Sequence, residues 1–178
     1  MNGIASLLDK ISTAHVESLW QELEASCGLS GVRVMPFPHF TWQVTERFDL
    51  SRLEKVLREI SQQTQPFTIH TAGIGIFTGE NPIIYITIVK EESLICFHEM
   101  LWKHTNKLAL NPNHHYSPDH WVPHITLSYN DVRPDNLSCA LLTLAFQPFI
   151  WEIQIDNLVF VAQEGDQTIE TINYRFGN

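Results

Sequence analysis

The sequence has no apolar run of about 18 residues, the length a membrane-spanning helix needs, so no membrane segment is expected. It has no cluster of basic residues. Eleven Lys and Arg stand against 20 Asp and Glu, for a formal net charge of −9. A protein that grips long nucleic acid by its phosphates needs a basic stripe, so a surface for long nucleic acid is excluded. A nucleotide or a short RNA end, held in one local pocket, is not. Cysteine is scarce: Cys27, Cys96 and Cys139 are far apart, odd in number and never in C-x-x-C spacing. That pattern predicts reduced, mostly structural thiols in a cytoplasmic protein. The opening MNGIASLLDK lacks a basic start followed by an apolar block, so no secretory signal is expected.

What is present is ample core material. The 178 residues are 44% hydrophobic and 11% aromatic, which suits one globular domain or two small lobes sharing a core. Apolar residues at spacings of three and four predict an N-terminal helix over about 4–27, with Gly28 placed to end it. The segment His39 to Val44 alternates as a strand does. Phe40, Trp42 and Val44 fall on one side, and His39, Thr41 and Gln43 on the other. A helix follows to about Gln63, opened by a Ser51-x-x-Glu54 capping box. Two strands then flank the turn TGENP, and residues 92–109 return to helical spacing. NPNHHYSPDHWVP reads as a loop, HITLSY as a strand, and 134–146 as a helix opened by a proline. A closing strand pair turns at Gly165-Asp166.

The order strand, helix, strand, strand thus occurs twice, each time opened by His-apolar-Thr-apolar: His39-Phe40-Thr41-Trp42 and His124-Ile125-Thr126-Leu127. Both following helices run into Gln-Pro-Phe. The expected fold class is α+β, a bilobal duplicated unit in one domain. Two antiparallel sheets would line a central cleft, with helices packed on the outside. Repeat one spans about 32–90, repeat two about 118–176, and the N-terminal helix precedes them.

Side chains at i and i+2 of a strand point the same way, so His39 shares a face with Thr41, and His124 with Thr126. Two such faces converging on one cleft suit phosphate chemistry. With an imidazole pKa near ~6.5, one ring can be neutral while its partner is protonated. The neutral one takes a proton from the attacking water or hydroxyl; the other donates to the leaving oxygen on the far side of phosphorus. Thr41 and Thr126 would donate to the non-bridging oxygens. The scheme requires no metal and no cofactor.

These two motifs, each opening a strand of a repeated α+β unit, resemble the 2H phosphoesterase superfamily, which includes 2′-5′ RNA ligase-like proteins and 2′,3′-cyclic nucleotide phosphodiesterases. PFTIHTAGIGIF is also similar to that family's strand after the first helix. The resemblance implies a bilobal fold and metal-independent cleavage of a 2′,3′-cyclic phosphate or a 2′-5′ linkage, with His39 and His124 as general acid and base and Thr41 and Thr126 binding phosphate. Ligase-like members begin with a strand, whereas this chain reads as opening almost directly into a helix. Many carry an arginine two residues after the second motif. Tyr129 stands there, as in the cyclic phosphodiesterase branch, and can stack on a base or hydrogen-bond a phosphate.

The expected function is therefore a monomeric, cytoplasmic phosphodiesterase acting on cyclic nucleotides or RNA ends. The alternatives are 2′-5′ ligation at the same site, or a nucleotide-binding module without turnover. Gln43 and Ser128, four residues after their histidines, are candidate substrate contacts or, equally, spacers that support the site from behind. The loop holding His114, His115, His120 and Asp119 matches no common metal-ligand spacing and reads as solvated. His98 and His104 read as surface or half-buried, His70 as a possible cleft residue, and Arg33 and Lys103 as solvated charges.

Overall fold

The computed structural model describes residues 1–35, 37–164 and 167–177. The chain opens with a strand, β1 (Asn2–Leu7), and only then enters helix α1 (Lys10–Cys27). Asp9 caps α1, its side chain accepting from the Ser12 N–H, and Gly28 ends it in the left-handed conformation. The predicted helix over 4–27 is thus corrected at its start. Ile4, Ala5 and Ser6 are consecutively buried because β1 lies between two other strands, whereas Ile11 is 71% exposed. The spacing of Ile4, Leu7, Leu8 and Ile11 imitated a helical face.

Next come β2 (His39–Phe48), α2 (Leu50–Gln63), β3 (Phe67–Phe77) and β4 (Ile83–Ile88). Asp49, not Ser51, caps α2, accepting from the Arg52 N–H. Helix α3 (Glu92–Thr105) leads through a 3₁₀ turn into β5 (Ala109–Pro112), inside the stretch expected to be helix and loop. Strand β6 is only His124–Thr126, and α4 is Leu137–Ala145. The expected closing strand breaks at Asp156 into β7 (Glu152–Ile155) and β8 (Asn157–Glu164), followed by β9 (Gln167–Arg175). The predicted turn at Gly165-Asp166 lies outside the described residues.

The strands form one antiparallel sheet in the order β7-β3-β4-β6-β2-β1-β8-β9, with β5 also paired to β2. Two separate sheets, one per repeat, were expected; one continuous strand path is found. The two motif strands, β2 and β6, are neighbours at its centre, paired at Phe40 and Ile125. β4 continues the sheet on one side and β1 on the other, so strands from both parts of the chain interleave. Phe40, Trp42, Ile125 and Leu127 are buried in the main hydrophobic core, where Trp42 packs on Phe40, Phe97 and Trp121. Among the described residues no helix is long and apolar enough to cross a membrane.

Cys27, at the end of α1, and Cys139, in α4, form a disulfide. This corrects the expectation of reduced thiols for that pair; Cys96 is free and exposed. The bridge closes a separation of 112 residues and so restricts the unfolded chain, a contribution of about 2 kcal/mol or more. Reductant, or Cys139→Ser, is expected to lower the urea midpoint and to steepen the slope of the transition, because the unbridged chain exposes more surface on unfolding. Identical midpoints with and without reductant would show that the bridge contributes nothing.

Candidate active site

The antiparallel register that pairs Phe40 with Ile125 carries His39 alongside Thr126, and Thr41 alongside His124. The two histidines are therefore diagonal neighbours, with side-chain origins roughly 7–8 Å apart. All four side chains line one cavity of about 180 Å³, and the charge of His124 acts on His39. The sequence-based grouping of these four residues is what the structure shows.

Each half of the site is held in the same way. His39 Nδ1 lies 3.0 Å from the Phe37 carbonyl, and His124 Nδ1 lies 2.6 Å from the Val122 carbonyl. A carbonyl only accepts, so Nδ1 carries the proton in both rings and Nε2 is left as the titrating nitrogen. The backbone of each threonine is fixed by a buried indole. Trp121 Nε1–H donates to the Thr41 carbonyl at 2.9 Å, and Trp20 Nε1–H to the Thr126 carbonyl at 3.0 Å. Neither threonine hydroxyl has a partner among the described residues. Both are free to donate to a ligand.

Burial drives the pKa of His39 below the ordinary imidazole value; the Phe37 carbonyl opposes this and the charge of His124 adds to it. Burial lowers His124 as well, against the opposing Val122 carbonyl. Both shifts have the sign expected when an imidazolium loses water. No lysine, arginine or carboxylate lines the cavity among the described residues. Met1, whose ammonium donates to the Gln163 carbonyl, also lines it.

Two candidate contacts are corrected. Gln43 is buried, its side chain bonded to Thr105 and facing Asn106. Opposite β1 the register slips between Thr41 and Gln43, a β-bulge. A bulge inserts one residue and reverses the alternation beyond it. Val44 therefore lines the cavity instead of Gln43. Ser128 is also buried, its Oγ accepting from the Ile84 N–H at 3.0 Å. Because β6 stops at Thr126, alternation does not extend to Tyr129, and Tyr129 lines the cavity.

The rest of the cavity was not found by sequence. Tyr116 lines it together with Tyr129; burial first, and Tyr129 second, push the Tyr116 phenol up to about 12. Trp20, Val34 and Met35 are among the other residues that line the cavity. Gly31 sets this wall. Its N–H donates to Asp131 Oδ2 at 2.6 Å, and a Cβ there would lie 2.0 Å from the Tyr129 carbonyl oxygen. The loop bearing Tyr129 can approach this closely only because residue 31 has no side chain.

Other histidines lie elsewhere. His70 is on β3 with Nδ1 2.8 Å from Glu91 Oε1, not in the cavity. His98 is buried, contrary to the surface reading, and bonds the Trp42 carbonyl. His104 is exposed. His114 and His120 lie with ring centroids 4.1 Å apart, tilted against each other, in the loop, and among the described residues no three His, Cys, Asp or Glu side chains gather to hold a metal ion. Arg33 pairs with Glu24 and lies over the Trp20 ring.

Paired His/Thr strands at the centre of the sheet thus open on one cleft, an arrangement suited to phosphate chemistry. The chain belongs to the 2′-5′ RNA ligase superfamily, a group of 2H phosphoesterases, whose family model matches residues 11–167. A candidate phosphoesterase of Bacillus cytotoxicus is 28% identical over 134 residues, covering 74% of this chain and 73% of its own. One from Bacillus mycoides is 26% identical over 137 residues, covering 74% and 75%. Among solved structures, Usb1 of Kluyveromyces marxianus superposes with a TM-score of 0.55 at 11% identity, over 98% of this chain and 97% of its own. A crystal structure of a phosphoesterase superposes with a TM-score of 0.57 at 13% identity, over the same shares. At those identities the two structures speak for the fold alone.

Proposed function

We propose that this protein is a metal-independent phosphodiesterase that opens 2′,3′-cyclic phosphates of nucleotides or short RNA ends, with His39 and His124 as its proton-transfer pair. One observation carries the reading. Two imidazoles on adjacent central strands each have Nδ1 tied to the carbonyl two residues back, so both keep Nε2 for chemistry. A purely binding pocket has no need of two matched, tautomer-fixed rings.

In the reaction, the neutral histidine takes a proton from water as the water oxygen bonds to phosphorus. The protonated histidine gives its proton to the ribose oxygen as the bond from that oxygen to phosphorus breaks. Thr41 and Thr126 donate hydrogen bonds to the non-bridging oxygens, which carry the charge throughout. The product is a phosphomonoester, and the two rings have exchanged protonation states. Tyr116 and Tyr129 offer aromatic faces on which a base can stack. The same groups can take the proton from a 5′-hydroxyl in place of water and give one to the departing ribose 3′-oxygen, so joining ends through a 2′-5′ bond is the second reading. It is favoured by the family to which the chain belongs.

The test is turnover of a panel of 2′,3′-cyclic mononucleotides and 2′-5′-linked dinucleotides in the presence of chelator. Cyclic substrates are expected to be opened whatever their base. The opened monoester, with a second negative charge and no lysine or arginine among the described residues of the lining to meet it, is expected to inhibit only weakly. Loss of activity in chelator, binding of every substrate without turnover, or a product inhibition constant below the substrate KM would contradict the proposal.

A further inference from the structure

His39 and His124 are anchored alike at Nδ1 but differ in what surrounds their rings. His39 has one aromatic neighbour, Phe37, with centroids 5.9 Å apart. His124 has two closer ones. Phe77 meets it nearly perpendicularly at 4.9 Å, and Tyr85 at 5.2 Å. Phe77 and Tyr85 are themselves stacked at 4.2 Å. Neither ring lines the cavity, although His124 does.

The sheet explains how the two rings reach His124. Tyr85 pairs with Thr126 on one side and with Gly75 on the other, and Thr87 pairs with His124. Tyr85 is therefore on the catalytic face of β4, beside the second motif. Its ring lies flat across Gly75. A Cβ at position 75 would stand 2.5 Å from Tyr85 Cζ and 2.6 Å from Oη. Real side-chain contacts are not that short, so only glycine leaves this space. Phe77, two residues on and on the same face of β3, closes the stack.

We propose that Phe77 and Tyr85, seated over Gly75, are positioning residues for His124: they wall one side of its ring, hold Nε2 toward the cleft and keep water from its other flank. The wall supplies part of the burial that holds His124 below the ordinary imidazole range. The titratable side chains that act in this corner are Tyr85 from β4 and His39 from β2, whereas β3 contributes the uncharged Phe77. The catalytic part of the inference rests on the proposed phosphodiesterase reaction. The positioning part does not.

The test reads both. The His124 ring proton is followed by NMR against pH in ligand-free wild type, Phe77→Ala, Tyr85→Leu and Tyr85→Phe, and steady-state kinetics are measured beside it. In Phe77→Ala and Tyr85→Leu the His124 midpoint is expected to rise toward ~6.5 as water reaches the ring, while that of His39 moves less. Turnover should fall about 10–100-fold with KM nearly unchanged, the signature of lost alignment. Tyr85→Phe keeps the ring and should behave as wild type. An unmoved His124 midpoint in both ring-removing variants overturns the proposal. So does a rise in KM at constant kcat, which would make these rings substrate contacts. If wild type opens no cyclic phosphate but the midpoints shift as stated, the proposed reaction fails and the positioning of His124 stands.

Discussion

Alanine in place of His39 or His124 is expected to lower turnover of a 2′,3′-cyclic nucleotide by about 10²–10⁴-fold, the usual worth of one positioned proton transfer. KM should change little, because the proposal assigns phosphate binding to Thr41 and Thr126 and base stacking to Tyr116 and Tyr129. Both rings act in the same step, so the double variant should be scarcely worse than either single one. Each histidine is only half-buried, and among the described residues each ring's one hydrogen bond runs to a nearby carbonyl. The variants should therefore fold, as circular dichroism and thermal melting would show. The pH dependence carries a second signature. Both imidazoles are lowered by burial, so the bell in kcat/KM should centre below ~6.5. Bound phosphate favours the protonated forms, so the kcat bell should lie at higher pH than the kcat/KM bell. Full turnover by His39→Ala or His124→Ala would remove that residue from the reaction.

Acid is expected to destabilise the fold well before ordinary carboxylates titrate, and the cause is His98. This side chain is 2% exposed on α3, stacked at 3.9 Å on Trp121, with Nε2 3.0 Å from the Trp42 carbonyl. Burial lowers its pKa to about 4, against opposing hydrogen bonds to the Trp42 and Tyr116 backbone and with a small contribution from Lys90. The unfolded chain titrates this group near ~6.5 and binds the proton more readily than the folded one. Stability therefore rises with pH across this window. It is full above pH ~6.5 and declines as the pH falls toward about 4. A difference of this size amounts to about 3 kcal/mol at 1.36 kcal/mol per unit, and His39 and His124 act in the same direction. Thermal or urea midpoints between pH 7 and 4 measure it, and His98→Gln should flatten the dependence. A wild-type midpoint constant across that range would show that His98 is not buried neutral.

The same residue shows why part of the site escaped the sequence. His98 reads as one histidine on an amphipathic helix, and nothing local marks it as the link between α3 and the strand that carries Thr41. Trp20 and Trp121 are similar cases. They bind the carbonyls of threonines 106 and 80 residues away, and a pattern of period two or 3.6 does not register contacts at that range. Tyr116 was read only as part of a histidine-rich loop. The disulfide joins cysteines whose helices meet only in three dimensions, and no spacing rule pairs them. Gln43 and Ser128 were misplaced for a different reason. Alternation was extended past a bulge and past the end of a strand, the two places where it fails.

What the sequence determined by itself is the pair of His/Thr faces: two copies of His-apolar-Thr-apolar, whose period-two alternation puts imidazole and hydroxyl on one face and anchors the other in the core. That follows from backbone geometry and holds wherever such a segment is extended. Only the tertiary structure decided that the two strands are neighbours, paired at Phe40 and Ile125 so that each histidine stands beside the other motif's threonine. Strand pairing between distant segments depends on how the whole sheet closes. In this chain it depends on β1 and β4 taking the flanks of the central pair, and no single stretch of residues encodes that arrangement.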